Sequence, residues 1–155
     1  LKNCELLAKA GFKAQVSVNY SFNVIDERPE TIRQTVAYHR ELEKIFGADI
    51  VEPSIFFIGL QPHTLLEEYG LKKGLLKPGY NPMSLMPWTA RKLLWNPEPM
   101  GKEFGRICLE AFDTNPNDFG RTVMNLLERD YGISSLNEAL TVEAKNRPVL
   151  AKSLR

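Results

Sequence analysis

The sequence is poor in the residues and motifs that usually identify a function. Its 155 residues include two cysteines and two histidines, and the net charge is +1. Cys4 and Cys108 are too far apart in sequence to suggest a metal site, so we interpret both as small buried apolar residues. The patterns G-x-G-x-x-G, G-x-x-x-x-G-K-[ST], H-E-x-x-H and G-x-S-x-G are absent. No catalytic residue is therefore assigned from a motif.

Other absences bear on partners and compartment. No apolar run approaches the roughly 18 residues of a transmembrane helix, which predicts no membrane span. No basic run is long enough to suggest a nucleic-acid partner. Low cysteine content without a signal peptide favours a cytoplasmic protein. The chain starts at Leu1 within a helical pattern that lacks a cap, so we expect a piece of a longer protein.

Helix and strand patterns alternate through the first 76 residues. The predicted order is helix, strand, helix, strand and helix, with approximate ranges 1–10, 13–24, 29–46, 50–60 and 65–70. Gly11, Gly47 and Gly70 are the expected helix ends. Thr64 and Glu67 match the T-x-x-E capping box at the start of the third helix. Short connections between these elements favour an α/β fold with parallel strands and helical crossovers.

The first predicted strand has one apolar face and one small polar face. The apolar residues are Ala14, Val16, Val18, Tyr20, Phe22 and Val24, and the polar ones are Gln15, Ser17, Asn19, Ser21 and Asn23. On alternation alone, the solvent face of an antiparallel sheet is the favoured interpretation. The flanking helices and the uncharged polar face favour instead a parallel β/α barrel whose lumen is wet or ligand-filled.

The carboxyl ends of the two strands are candidate ligand sites, because ligands bind there in parallel sheets. These ends are residues 23–28 and 59–64. Asp26, Glu27 and Arg28 lie where a ligand would bind, and the alternative is a solvated turn whose acids favour the following helix N-terminus.

The histidines and tryptophans are weaker candidates. His63 follows the second strand, where a catalytic role is the less favoured alternative to a structural one. His39 lies on a charged helix and is expected to be exposed. Trp88 and Trp95 are aromatic residues of the kind that stack on a base or a flat cofactor. We favour packing for both.

In the second half of the chain, the alternation of helix and strand patterns stops. Residues 77–100 contain five prolines and both tryptophans, which predicts an ordered, irregular arm. Two helices are expected beyond it, near 102–112 and from Pro116 to Gly132, with Asn115 as the cap of the second. We therefore divide the chain into a barrel portion 1–76, an arm 77–100 and an α-helical extension 101–155.

Two turns in the first half resemble those of radical S-adenosylmethionine enzymes. The segment LLAKAGFKAQVSVNYSFNVIDERPETIRQTVAYHREL is similar to a helix, strand and turn of that family, the turn often being G-x-P-G-E-T. Glu27 falls on its glutamate, while Asn23 and Asp26 replace its glycines and Ile25 its proline. The segment PSIFFIGLQPHTLLEEYG is similar to the next strand and its P-G-T-P-L turn, with His63 in place of glycine.

This resemblance implies the fifth and sixth strands of a partial, TIM-like (β/α)6 barrel, followed by the helical extension. It implies an enzyme that reductively cleaves S-adenosylmethionine at a 4Fe–4S cluster, whose three cysteines would lie upstream of Leu1. Asn23, Asp26 and Glu27 would lie near S-adenosylmethionine, and Asn19 and Ser21 would face the lumen. Family members with a cobalamin-binding domain have a similar helical extension. The resemblance to these members implies cobalamin as a further cofactor and methyl transfer as one reaction of the parent enzyme. The implied partners are the small-molecule cofactor, an unknown substrate and the rest of the parent chain.

Two alternative functions, each of a different class of protein, remain open. The first is a non-catalytic α/β and helical interaction module whose arm docks on a partner through Trp88 and Trp95. Exposed apolar surface around these tryptophans would favour it. The second is an unrelated small-molecule enzyme with a complete sheet, which more than two or three strands closed on themselves would favour.

Overall fold

The computed structural model describes residues 1–77, 79 and 95–134 as a two-stranded sheet and the helices around it. In chain order the elements are α1 (Lys2–Lys9), β1 (Val16–Phe22), α2 (Pro29–Phe46), β2 (Val51–Phe57), α3 (Leu65–Lys72), α4 (Met100–Thr114), a 3-10 turn (Pro116–Asp118) and α5 (Phe119–Tyr131). The predicted order of helices and strands is confirmed. Among these helices, none has the length and apolar character needed to span a lipid bilayer.

The two strands are parallel, as predicted. Val16 lies opposite Val51, and the register continues to Phe22 opposite Phe57. The antiparallel interpretation of the alternating strand is therefore wrong. Helix α2 makes the connection between the strands, as a parallel pair requires. Pro29 is its first residue and Gly47 follows its last, as predicted.

One hydrophobic core joins β1 to α2, α4 and α5. It contains Tyr20, Phe22, Ile32, Val36, Phe104, Ile107, Ala111, Val123, Met124, Leu126 and Leu127. The rings of Phe22 and Phe104 lie 5.1 Å apart, so α4 packs directly on the apolar face of β1. The apolar face of the first strand is thus confirmed. The division into three segments remains a prediction, although the helices beyond residue 100 share this core with the sheet.

Gly70 does not end α3, contrary to prediction, because it lies inside the helix at a close packing contact. A Cβ atom there would lie 2.8 Å from the Leu76 side chain and 3.0 Å from the Trp95 ring. The glycine allows both side chains to approach the helix. The capping prediction is confirmed for Thr64, whose hydroxyl accepts the Glu67 backbone N–H, while the Glu67 carboxylate accepts that of His63.

The last helix begins three residues later than predicted, at Phe119 instead of Pro116. Asn115 precedes a 3-10 turn rather than the α-helix, and its side chain makes no capping hydrogen bond. The α-helix begins at Phe119 and ends at Tyr131. Gly132 follows it, as predicted, and its φ of 77° is the left-handed conformation that favours glycine at a helix end.

His39 is fully buried, so the prediction that it is exposed is wrong. Its Nδ1 lies 3.1 Å from the Tyr20 hydroxyl, and its Nε2 lies 3.3 Å from Glu43 Oε1. Burial lowers the pKa of His39, with Arg40 and Arg121 acting in the same direction and Glu43 opposing them. The folded protein therefore favours the neutral imidazole.

We expect the protein to lose stability as the pH falls from about 7.5 to about 5.5 because of His39. The unfolded chain takes up a proton near pH 6.5, whereas the folded chain resists it, so the contribution is fully present only above that pH. Urea unfolding should show a weaker pH dependence for His39→Gln, and an unchanged one for the control His63→Gln at the exposed histidine. A wild-type slope in His39→Gln would contradict this interpretation.

Candidate functional site

A cleft of about 200 Å³ opens at the carboxyl end of β1. Its lining residues come from the β1–α2 turn, from α3 and the residues after it, and from the segment before α4. They are Asn23, Val24, Ile25, Asp26, Glu27, Tyr69, Leu75, Trp95, Pro97, Glu98, Pro99 and Met100. The cleft therefore lies where parallel sheets usually bind ligands. It contains the three positions that were predicted to lie near S-adenosylmethionine.

Asn23 holds the segment before α4 against the end of β1. The residue is 3% exposed, and its φ of 55° is left-handed. Its side-chain amide donates to Asn96 Oδ1 at 2.6 Å and to the Pro97 carbonyl at 2.9 Å. A buried donor without a partner is costly, so both bonds favour this arrangement of the cleft wall.

The same hydrogen-bond chain continues into the first turn of α4. The Asn96 side chain donates to the Gly101 carbonyl at 3.1 Å, and the Gly101 N–H donates to the Pro97 carbonyl at 2.9 Å. A Cβ atom on Gly101 would lie 2.5 Å from the Asn96 carbonyl oxygen. The end of β1 and the start of α4 are thus fastened together on one side of the cleft.

Glu27 lies in the cleft wall at the start of α2. Burial raises the pKa of its carboxyl group, while hydrogen bonds from the Thr31 hydroxyl and from the backbone of Val24, Asn23 and Arg28 act against that rise. The Thr31 hydroxyl also accepts the Arg28 N–H at 3.0 Å. The carboxylate is therefore held in place by the helix N-terminus, where negative charge is favoured.

Trp95 forms another part of the wall. It is 3% exposed, its backbone N–H donates to the Ile58 carbonyl at 2.8 Å, and its ring packs edge to face on the Tyr69 ring with the centroids 6.0 Å apart. The predicted packing role is confirmed for this tryptophan, whereas Trp88 lies outside the described residues. The indole N–H of Trp95 is buried and has no hydrogen-bond partner among the residues that the structure describes. Such a donor is uncommon in a folded protein.

Three non-glycine residues of the described chain have left-handed backbones. These are Asn23 with φ 55°, Asp26 with φ 61° and His63 with φ 62°. Residues other than glycine seldom adopt positive φ, although asparagine, aspartate and histidine are the commonest exceptions. All three lie in the turns that follow β1 and β2. They are also the three positions at which the resemblance given under Sequence analysis predicts glycine, an alignment that stays a prediction.

Asn19 and Ser21 are not part of this cleft. They are exposed on the open face of the sheet, together with Ser17. The register places Glu52, Ser54 and the exposed Phe56 on the same face. The two predicted groups of site residues thus belong to different surfaces, one at the strand end and one along the strand.

The comparisons with known proteins give no family assignment. No protein-family model, curated protein or solved structure matches this chain. Function is therefore argued from the cleft and from the turns themselves. Within residues 1–77, 79 and 95–134, no group of three histidine, cysteine or acidic residues is arranged to hold a metal ion.

His63 lies outside the cleft. Its backbone N–H donates to Glu67 at 2.7 Å, and its side chain is exposed. Tyr69 and Glu98 line the cleft although the sequence did not indicate them as site residues, and Trp95 was only a weaker candidate; these residues reach the cleft through tertiary packing. No local pattern relates them to the β1–α2 turn.

Proposed function

We propose that the chain is part of a radical S-adenosylmethionine enzyme. It would supply the last two strands of a partial (β/α)6 barrel together with the helical extension. The cleft at the end of β1 would form one part of the cavity for cofactor and substrate. The parent would act in the cytoplasm on a small molecule. Cobalamin would be an additional cofactor, because the helical extension resembles that of family members with a cobalamin-binding domain.

The observation that carries this proposal is the backbone conformation of the two turns. Asn23, Asp26 and His63 replace glycine in the similar turns, and each has a left-handed φ. A backbone with glycine-like geometry is retained although the glycines are absent, which supports the alignment of these turns with the family. The parallel pairing of β1 and β2 and the connecting helix α2 support it further.

S-adenosylmethionine fits the cleft in part. At about 200 Å³ the cleft is smaller than the roughly 300–1,000 Å³ of pockets that enclose drug-sized ligands. It would accommodate one portion of the cofactor, and preceding strands of the parent would enclose the rest. When bound beside a reduced cluster, the cofactor supplies a carbon-centred radical. The residues of this chain would bind and orient ligands and exclude water.

A 4Fe–4S cluster does not fit this chain, because such clusters are usually held by three or more thiolates and the chain has two cysteines. Both cysteines are free, Cys4 on α1 and Cys108 on α4. The cluster-binding loop is therefore assigned to the upstream part of the parent. No step of the chemistry is assigned to a metal-bound group here.

Helix α1 and the free edge of β1 are the surfaces that would meet the rest of the parent. In the described part of the chain, β1 pairs with β2 alone. Helix α1 has no buried residue, and its Leu6 and Leu7 are 57% and 51% exposed. Exposed leucines on an amphipathic helix and an unpaired strand edge are surfaces that a preceding helix and strand would cover.

Anaerobic reconstitution with iron and sulfide tests the proposal. The parent protein is expected to bind a 4Fe–4S cluster and to release 5′-deoxyadenosine from S-adenosylmethionine after reduction. The 155-residue chain alone is expected to do neither, because it lacks the third thiolate. A stable 4Fe–4S absorption and EPR spectrum from the chain alone would contradict the proposal.

The two alternatives receive less support. Trp95 is buried, so it is not available as a docking residue of an interaction module. The described residues contain two strands that do not close on themselves, unlike the sheet expected of an unrelated enzyme with a complete α/β fold.

A further inference from the structure

Helix α4 has a second apolar face, which the hydrophobic core does not cover. Leu109 and Phe112 are 69% and 62% exposed, and Leu109 is the most exposed large apolar side chain among the described residues. Gly105 lies on the same face, because residues three and four apart share one side of a helix. A Cβ atom at Gly105 would meet only open space in the described part of the chain. Gly105, Leu109 and Phe112 are called the α4 stripe. Contiguous exposed apolar surface often marks an interaction site.

Two exposed charges beside the α4 stripe have the wrong sign for the ends of α4 itself. Lys102 lies in the first turn and Asp113 in the last turn. Neither side chain makes a hydrogen bond or an ion pair with any described residue. The helix dipole is positive at the N-terminus and negative at the C-terminus, so it disfavours a lysine at the first end and an aspartate at the second. The stability of α4 alone therefore does not account for either charge.

An antiparallel copy of α4 would match both the stripe and the charges. A two-fold axis between positions 108 and 109 places Phe112 opposite Gly105 of the second copy, because the two positions are equally far from that axis along the helix. The ring of Phe112 would then enter the open space at the glycine. The same axis brings Lys102 to the Asp113 end of the second helix, with an offset of about 3 Å along the axis. Each charge would meet an opposite charge and the opposite end of a helix dipole.

We propose that two copies of this chain associate through antiparallel contact of their α4 stripes. The occupant is a second copy because one helix carries all the complementary parts, namely an aromatic ring, an open position, a cation and an anion. Such a self-complementary patch is what a two-fold interface requires. Contact through one helix per copy is small for a protein interface, so we expect a dissociation constant of about 0.1–1 mM. Unfolding free energies measured at low micromolar concentration therefore report on the monomer.

Analytical ultracentrifugation of the 155-residue chain tests this association. With a reductant present to keep both cysteines free, the average mass is expected to rise from one chain towards two between about 20 μM and about 2 mM. Leu109→Ser and Phe112→Ser should each weaken association about ten-fold or more, because each removes an apolar side chain from the centre of the contact. Leu65→Ser, at a comparably exposed leucine of α3, is the control and should not change it.

Charge reversal identifies the occupant as a second antiparallel copy. Lys102→Glu and Asp113→Lys each bring like charges together across the two-fold axis, so each is expected to weaken association about five-fold. The double variant restores the opposite pairing and should associate within about two-fold of the wild type. Both reversals suit the dipole of α4, so a weaker helix cannot be the reason for a loss in either single variant.

Four results would overturn the proposal. The first is a chain that stays monomeric at the highest concentration. The second is association that Phe112→Ser leaves unchanged, which would assign the contact to another surface such as the free edge of β1. The third is a double charge variant that associates no better than the single ones. The fourth is a monomeric parent protein, in which another part of the parent would cover the α4 stripe. None of these results depends on cluster binding, so the proposed function is tested separately.

Discussion

Replacing Gly120 with alanine is expected to destabilise the protein by about 3 kcal/mol or more. Gly120 lies in the first turn of α5, where a Cβ atom would lie 1.7 Å from the Pro53 carbonyl oxygen and 2.8 Å from its carbon. Both are backbone atoms of β2, so no side-chain rotation can relieve the steric overlap with the new Cβ atom. The helix would have to move away from the sheet, and Val123, Met124 and Leu127 would lose their packing in the core.

Gly105→Ala is the matched control, because Gly105 also lies inside a helix. No atom of the described residues lies within 4 Å of the Cβ position at Gly105. Alanine there is expected to stabilise the protein by roughly 0.5–1 kcal/mol, since it restricts the unfolded chain and favours helix. The free energies of unfolding of both variants are measured by urea denaturation. A small loss in Gly120→Ala, comparable in size to the effect in Gly105→Ala, would show that α5 does not approach β2 so closely.

Asn23→Asp is expected to destabilise the protein by about 3 kcal/mol and to detach the segment before α4 from the cleft. The two side chains have the same shape, and both tolerate the left-handed backbone of position 23. The substitution replaces an amide that donates to Asn96 Oδ1 and to the Pro97 carbonyl with a carboxylate that has nothing to donate. Three acceptors would then face one another, and the carboxylate at position 23 would be nearly inaccessible to water.

Asn19→Asp is the control on the same strand, because Asn19 is exposed on the open face. Its effect should stay within about 0.5 kcal/mol. Unfolding free energies at neutral pH compare the two variants, and amide hydrogen exchange at Asn96 and Gly101 reports whether the start of α4 opens. Equal effects at positions 19 and 23 would mean that Asn23 does not hold the cleft wall.

Much of the fold follows from local patterns. The alternation along β1, the proline at the start of α2 and the glycine after it predict elements that the structure contains. Gly70 and Gly120 are different, because each serves a close contact between distant parts of the chain. A sequence pattern identifies a glycine as a helix end more readily than as a packing contact, so the end of α3 was predicted too early.

The helical periodicity of α2 explains why the predicted exposure of His39 is wrong. It lies three residues after Val36 and three before Leu42, and all three are buried on one face of α2. The charged neighbours Arg40 and Glu41 suggested an exposed helix, but they lie beside that face rather than on it. A histidine at core spacing on an amphipathic helix is better predicted to be buried with a polar partner, here the Tyr20 hydroxyl.

The part of the site at the end of β1 can be predicted from the sequence because of the sheet topology. Parallel strands place their carboxyl ends at one edge of the sheet, so the sequence alone predicts Asn23, Asp26 and Glu27 at a ligand-binding end. Trp95 and Glu98 lie about seventy residues further along the chain and reach the same cleft by packing on α3 and on the end of β1. No periodic pattern encodes that meeting.

The most direct measurement is the nucleotide sequence of the gene on the 5′ side of the Leu1 codon. If the chain forms one wall of a radical S-adenosylmethionine cavity, that sequence encodes, in the same reading frame, the preceding strands and helices of the barrel. It also encodes a C-x-x-x-C-x-x-C loop after the first of those strands. An in-frame upstream sequence without a three-cysteine loop would contradict the assignment.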